Sequence, residues 1–235
     1  MPLSAAFLDL GNTLLSEHPG RPAIYTEAAR AHGVTVDPAR MAQLMAELHT
    51  QLPRELDGAY RYSDAWFRAF QRRLFVDELG LDARELPALS QELFARFEDP
   101  GTFVLYPGAR ELLESLRTRG LVLGLISNWS ARLPRLLEAL DLARSFDFVL
   151  GSASERLEKP DPELFRRALA RAGVPAADAL HAGDRIDRDV QGALAVGLQV
   201  LLVDHERKLE GSTNLPCPVV SSLFELRDRI LERCA

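Results

Sequence analysis

Lysine is nearly missing from this sequence. It occurs only at Lys159 and Lys208, so all but two of the 28 basic residues are arginine. Asparagine is as scarce, at Asn12, Asn128 and Asn214. Such a skew reflects coding bias and makes each surviving lysine or asparagine a candidate for a chemical role. Cysteine occurs twice, at Cys217 and Cys234, which excludes a disulfide framework and a cysteine-rich zinc site. No apolar run approaches the roughly 20 residues that span a bilayer. The opening segment has no basic stretch and meets an acid at Asp9, so it does not read as a signal peptide. With a net charge of −6 there is no general positive field for nucleic acid or an anionic membrane. The expected location is the cytoplasm.

What remains is a chain of ordinary globular composition, 235 residues long and 47% hydrophobic, enough for one large or two unequal domains with a substantial core. Residues 3–8 form a short apolar run that ends in Asp9 and is broken by Gly11, Asn12 and Thr13, the pattern of a buried strand and its turn. From about 21 to 97 the apolar residues recur at helical spacing, as in Ile24, Ala28, Ala31 and again in Met41, Leu44, Leu48. No strand is expected there. After Asp99-Pro100-Gly101 helices and strands alternate. Strands are expected at 121–126, 146–150, 179–182 and 198–203, with helices near 108–119, 131–140, 161–172, 187–195 and 223–231. Such alternation implies an α/β parallel sheet with helices on both faces. The expected architecture is one α/β unit made of 1–15 and 99–235, with an all-helical insert over 16–98.

In such sheets ligands bind at the carboxyl ends of the strands. Asp9, Ser127 with Asn128, Lys159 and Asp184 all fall at or just past predicted strand ends. A carboxylate such as Asp9 can attack phosphorus and split one displacement into two steps. A phosphate dianion repels it, so a screening cation is required, and Asp9 with Asp184 suits Mg²⁺. Lys159 supplies a compact positive charge and Ser127 a hydroxyl donor. Polar strand ends also have plainer uses. Ser127-Asn128 and Asp161 could cap the helices that follow them, and Asp187 suits a first helical turn. Trp129 is expected either against the insert or as a pocket wall, and Trp66, Phe67 and Phe70 as insert core. Arg21, Tyr25, Arg61, Tyr62 and Arg68 face either the site or solvent. His32, His49 and His205 read as surface histidines.

The ordered set resembles the four motifs of the haloacid dehalogenase-like hydrolase superfamily: Phe7-Leu8-Asp9-Leu10-Gly11-Asn12-Thr13-Leu14, Leu125-Ile126-Ser127-Asn128, Glu158-Lys159-Pro160 and His181-Ala182-Gly183-Asp184 with Asp189. Tyr106-Pro107-Gly108 precedes the second motif, as it often does in that family. The resemblance implies a Rossmann-like sheet with a helical cap after the first strand. It also implies catalysis by Asp9, Ser127, Asn128 and Lys159. Mg²⁺ would be held by Asp9, the Gly11 carbonyl, Asp184 and Asp189, and the substrate would be a small phosphorylated metabolite. A monomer or homodimer is expected, with no nucleic-acid or membrane partner.

One position departs from the pattern. Phosphatases of the family usually carry a second aspartate two residues after the nucleophile as general acid and base, and here Gly11 stands there. A backbone carbonyl survives at Gly11, but the proton donor does not. His18 is a candidate replacement, with a loop role as its alternative. Two other readings remain: a 2-haloacid dehalogenase, whose halide leaving group needs no proton, and a catalytically impaired member with a binding role. The acidic last motif favours the metal-dependent phosphatase.

Overall fold

The computed structural model describes residues 2–234. Ala5–Leu8 (β1) is apolar and buried at every position, as a strand covered on both faces must be. A tight turn leads to Leu15–Glu17 (β2) and then to the inserted stretch. That stretch contains Arg21–Ala31 (α1), Pro38–Gln51 (α2), Asp64–Gln71 (α3) and Leu86–Glu98 (α4). Their starts follow capping chemistry. Asp37 accepts from the Ala39 amide at 2.8 Å and Ser63 from the Trp66 amide at 3.3 Å. Ile24, Met41, Leu44, Trp66, Phe70, Leu89 and Leu93 bury into a core of their own.

The insert is not wholly helical. Glu55–Leu56 (β3) and Ala59–Tyr60 (β4) form a minimal hairpin. Its turn is Asp57-Gly58, with φ of 49° and 78°. Both central residues sit in the left-handed region that a two-residue hairpin turn demands, and Asp-Gly is among its preferred sequences. The spacing of apolar residues gave no sign of it, because a strand of two residues has no periodicity to read.

The chain returns through Phe103–Leu105 (β5), which pairs antiparallel with β2, Glu17 opposite Phe103. There follow Ala109–Thr118 (α5), Val122–Ser127 (β6), Leu133–Ala139 (α6), Phe148–Gly151 (β7), Ser152–Glu155 (α7), Pro162–Ala172 (α8) and Ala179–Gly183 (β8). Gln191–Leu194 (α9), Gln199–Val203 (β9), Val219–Val220 (β10) and Leu223–Leu231 (α10) complete the order. The six-stranded parallel sheet runs β10-β9-β8-β1-β6-β7. Alternation in the strands divides the core. Ala6, Leu8, Leu123, Leu125, Leu180 and Leu201 face α5, α6 and α10, whereas Ala5, Phe7, Ile126 and Val200 face α8 and α9. Helices therefore cover both faces, as expected. No helix among the described residues is long and apolar enough to cross a membrane.

The helix expected near 187–195 begins differently. Ile186–Val190 is a wide π-type turn, and only then does α9 start. Its reason lies in Asp189. The Asp189 carboxyl packs so closely on Gly183 that a Cβ there would lie 2.2 Å from Asp189 Cγ. Widened turns of this kind recur where a side chain must be aimed at a site.

Candidate functional site

β1 lies between β6 and β8, and the chain leaves it toward β6 but returns on the other side at β8. That reversal opens a crevice at the carboxyl ends of the three strands. The crevice is a cleft of about 590 Å³. Asp9, Gly11, Ser127, Asn128, Lys159, Asp184 and Asp189 all line it. They arrive from four separate stretches of sequence.

Charge organises its floor. Lys159 is 3% exposed, with its ammonium 2.7 Å from Asp9 Oδ1 and 2.5 Å from Asp189 Oδ1. Burial opposes that positive charge, but Asp189 and Asp9 outweigh it, and Lys159 titrates above its ordinary value. Burial also pushes the Asp9 carboxyl up, against the pull of Lys159. Asp189 goes the other way. Lys159 and His181 overcome its burial and hold it far below the usual carboxylate range. His181 Nε2 donates to Asp189 Oδ1 at 2.8 Å and the Arg185 amide to Oδ2 at 3.1 Å. At Asp184 the pull of Lys159 and Arg185 is outweighed. Burial, then Asp9, then Asp189 push it up to about 7.

Three carboxylates at such proximity suit a divalent cation. Asp9, Asp184 and Asp189 each offer an oxygen, all within 4.8 Å of one another. Asp9 Oδ1 is buried and ion-paired with the Lys159 ammonium at 2.7 Å, which leaves its carboxylate further lone pairs for a cation. An all-oxygen anionic set is what Mg²⁺ takes. The raised Asp184 sets a pH dependence. Between the unfolded value of about 4 and its folded value of about 7, the native state binds the extra proton. Stability of the metal-free protein should therefore fall as pH rises through that window. Mg²⁺ needs the ionised form, so it should raise Tm more above pH 7 than below it. Thermal melts with and without Mg²⁺ across that range check this. An equal Mg²⁺ increment on both sides would count against Asp184 as a ligand.

Asn128 has a narrower task than its motif suggests. Its Oδ1 accepts from the Lys159 amide at 2.8 Å and its Nδ2 donates to the Lys159 carbonyl at 3.1 Å. The carboxamide thus clamps the backbone that presents the ammonium. Neither Ser127 nor Asn128 caps a helix, because α6 starts after Arg132. Asp161 does cap α8, accepting from the Glu163 amide at 2.9 Å. Asp187 is exposed and paired with Arg185 at 2.9 Å.

Other expectations need correcting. His18 is exposed and lies outside the cleft lining. None of the three supposed surface histidines is free. His32 sits 3.2 Å from both Glu85 and Glu92, and His205 stacks on Tyr106 at 3.7 Å while donating to the Thr13 carbonyl. His49 meets the Tyr62 hydroxyl at 3.2 Å, and burial with Arg61, Arg188 and Arg21 lowers its pKa to about 4. Trp129 is a wall of the cleft, and its ring meets Phe103 of β5, within the α/β unit, at 5.8 Å. Arg61 is tied to Glu158 and the Leu52 carbonyl, and Arg68 lies over Phe94. Tyr25 and Tyr62 line an adjoining cavity, and Arg21 lines both that cavity and the cleft. Arg188 and Glu206 line the cleft without any sequence signal, and Tyr106 and His181 belong to the quoted motifs but carry no expected role there. His181 had a signal for one: a polar residue inside the apolar run 179–182 must find a buried partner.

Residues 3–197 match the haloacid dehalogenase-like hydrolase family. A bovine haloacid dehalogenase-like hydrolase domain-containing protein 3 is 33% identical over 199 residues, 83% of this chain and 79% of the relative. A phosphoserine phosphatase from Thermus thermophilus is 33% identical over 239 residues, 93% of this chain and 96% of the relative. Among solved structures, a 2-haloacid dehalogenase from Pseudomonas syringae pv. Tomato superimposes with a TM-score of 0.69 at 26% identity, covering 99% of this chain and 100% of its own.

Proposed function

The chain belongs to the haloacid dehalogenase-like hydrolases, and from that premise we propose that it is a Mg²⁺-dependent phosphatase of a small phosphorylated metabolite. The observation that carries this reading is the acid cluster of Asp9, Asp184 and Asp189, whose oxygens lie within 4.8 Å of one another. Halide displacement has no use for three converging carboxylates, whereas a phosphate dianion cannot approach Asp9 without a screening cation.

Asp9, Asp184, Asp189 and the Gly11 carbonyl would hold Mg²⁺, and Asp9 is the nucleophile. When bound, the ion neutralises the carboxylates and the oxygens of the incoming phosphate. Asp9 attacks phosphorus, the bond from phosphorus to the ester oxygen breaks, and the leaving group departs as its oxyanion, which then takes a proton from solvent water. Water then hydrolyses the aspartyl-phosphate and frees inorganic phosphate. Lys159 holds the Asp9 carboxylate by charge and lies ready for a transferring oxygen, with the Ser127 hydroxyl beside it. Residues 16–98 serve as a cap over the cleft.

At Gly11 no side chain can protonate the leaving group. Space is short there as well, since a Cβ at Gly11 would lie 3.3 Å from Trp129 Cζ3. The indole thus crowds any side chain introduced at this position. Aryl and acyl phosphates, whose leaving groups are stable anions, should therefore be cleaved faster than alkyl phosphates by about 10²-fold, the usual worth of a general acid. The test is phosphate release from 4-nitrophenyl, acetyl and simple alkyl phosphates with and without Mg²⁺, alongside halide release from 2-haloacids. Halide release without phosphate release would establish the dehalogenase instead. Phosphate release that ignores Mg²⁺ would remove the metal from the mechanism.

A further inference from the structure

A second, smaller cavity of about 60 Å³ adjoins the active cleft and shares Arg21, Asn128 and Trp129 with it. Two helices of the insert build its far wall. On α3, Phe67 and Gln71 are four residues apart and face it together. On α4, Leu93 and Phe97 do the same, with Phe94 beside them. The lining is therefore mostly ring and aliphatic surface. Polar side chains punctuate it, and among them Gln71 is 1% exposed, its carboxamide beside the Tyr25 hydroxyl and its Oε1 without an aligned partner. A carboxamide oxygen has two lone pairs, so Gln71 retains acceptor capacity for a donor placed in the cavity that it lines.

The charges around this cavity are already matched. Arg21 pairs with Glu17. Arg132 pairs with Asp64 at 2.6 Å and Glu98 at 2.5 Å, its guanidinium lying 4.4 Å from the Phe94 ring centre. Both cations in the wall are neutralised, so a carboxylate or a second phosphoryl group would find no free partner there. Pockets that take a whole metabolite run to ~300 Å³ or more, so this one holds only the end of an arm.

We infer that this cavity is a specificity subsite, and that the substrate's leaving group sends into it an uncharged, mainly apolar arm ending in a hydroxyl or N–H that donates to Gln71 Oε1. The inference rests on the phosphatase reading and narrows it. Substrates whose second feature is another anion fit this subsite poorly.

The experiment uses phenyl phosphates carrying a straight alkyl chain, with and without a terminal hydroxyl, in a homologous series of chain lengths. Within each protein the quantity read is the ratio of kcat/KM for the hydroxyl and plain members of a pair. In wild type this ratio should peak at one chain length, at about tenfold, because an arm without a donor leaves Gln71 unpaired. Gln71→Leu should bring the peak close to one. Leu93→Phe, which fills the cavity from the opposite helix, should abolish it too, and thermal melts establish that both variants are folded. A ratio that is flat at every length in wild type overturns the inference, as does a peak that persists in folded Gln71→Leu. If wild type cleaves neither these esters nor acetyl phosphate, the phosphatase reading fails on its own. Calorimetry with the free phenols then still decides the subsite. Tighter binding of the hydroxyl-armed phenol to wild type than to Gln71→Leu supports it, and equal binding overturns it.

Discussion

Asp9→Asn should yield a folded protein whose phosphate release falls on the order of 10⁴-fold or more, because an amide of nearly the same shape is not a nucleophile. Folding should survive for a specific reason. The Asp9 carboxyl is 6% exposed and burial pushes its pKa up, so ionising it costs the native state free energy. Replacing it with a neutral amide removes that cost. Lys159 keeps Asp189 as a partner at 2.5 Å, so no cation is left stranded. The measurement is single-turnover phosphate release from 4-nitrophenyl phosphate, with thermal melts on the same preparations. Wild type quenched early in acid should also carry one phosphoryl group by intact mass, and the variant none. Appreciable turnover by a pure Asp9→Asn preparation would sink the covalent mechanism.

Lys159→Met produces the second large effect, and it falls on the fold as well as the chemistry. The ammonium bridges Asp9 and Asp189, and Asp184 lies within reach of both. Methionine fills much of the same volume but leaves three carboxylates facing one another in a nearly closed site. Removing one partner of a buried ion pair typically costs ~3–5 kcal/mol. Metal-free Lys159→Met should lose about that much above pH 7. Two treatments should restore it: acidification, which protonates the stranded carboxyls, and Mg²⁺, which replaces the missing positive charge. Turnover should drop by ~10²–10³-fold even in saturating Mg²⁺, since no cation then meets the transferring oxygens. Denaturant unfolding with and without Mg²⁺ measures the first effect. An unchanged midpoint in metal-free buffer would mean that the bridge contributes nothing. Lys159→Arg should not rescue turnover, because a planar fork does not fit where a compact ammonium sits between two acids.

Much of this site was legible before any coordinates, and the reasons are particular. Asp9, Ser127 and Asp184 are polar residues that directly follow or end apolar runs, and a parallel sheet places such ends along one edge. Lys159 stood out because the rest of the chain avoids lysine. Helical spacing marked the insert because Trp66, Phe70 and Leu74 bury one face. His49 and His205 were misread for the same reason that His18 was overvalued. A lone histidine carries no local pattern, and its partner can lie far along the chain. Thr13, whose carbonyl accepts from His205, is 192 residues away from it.

Local order of apolar and polar residues was sufficient for the α/β architecture, the helical insert and the strand-end acids, because periodicity and turn chemistry act over a few residues. Tertiary structure alone decided what those residues do to one another. It put Lys159 between Asp9 and Asp189, turned Asn128 into a clamp on the lysine backbone, and left Asp184 without a cation of its own. It also set Trp129 against Gly11 and left Gln71 Oε1 without an aligned partner beside a cavity between insert and core. Ionisation, desolvation and open hydrogen bonds depend on distances between segments that are remote in sequence. Those distances exist only once the sheet, its helices and the insert have packed.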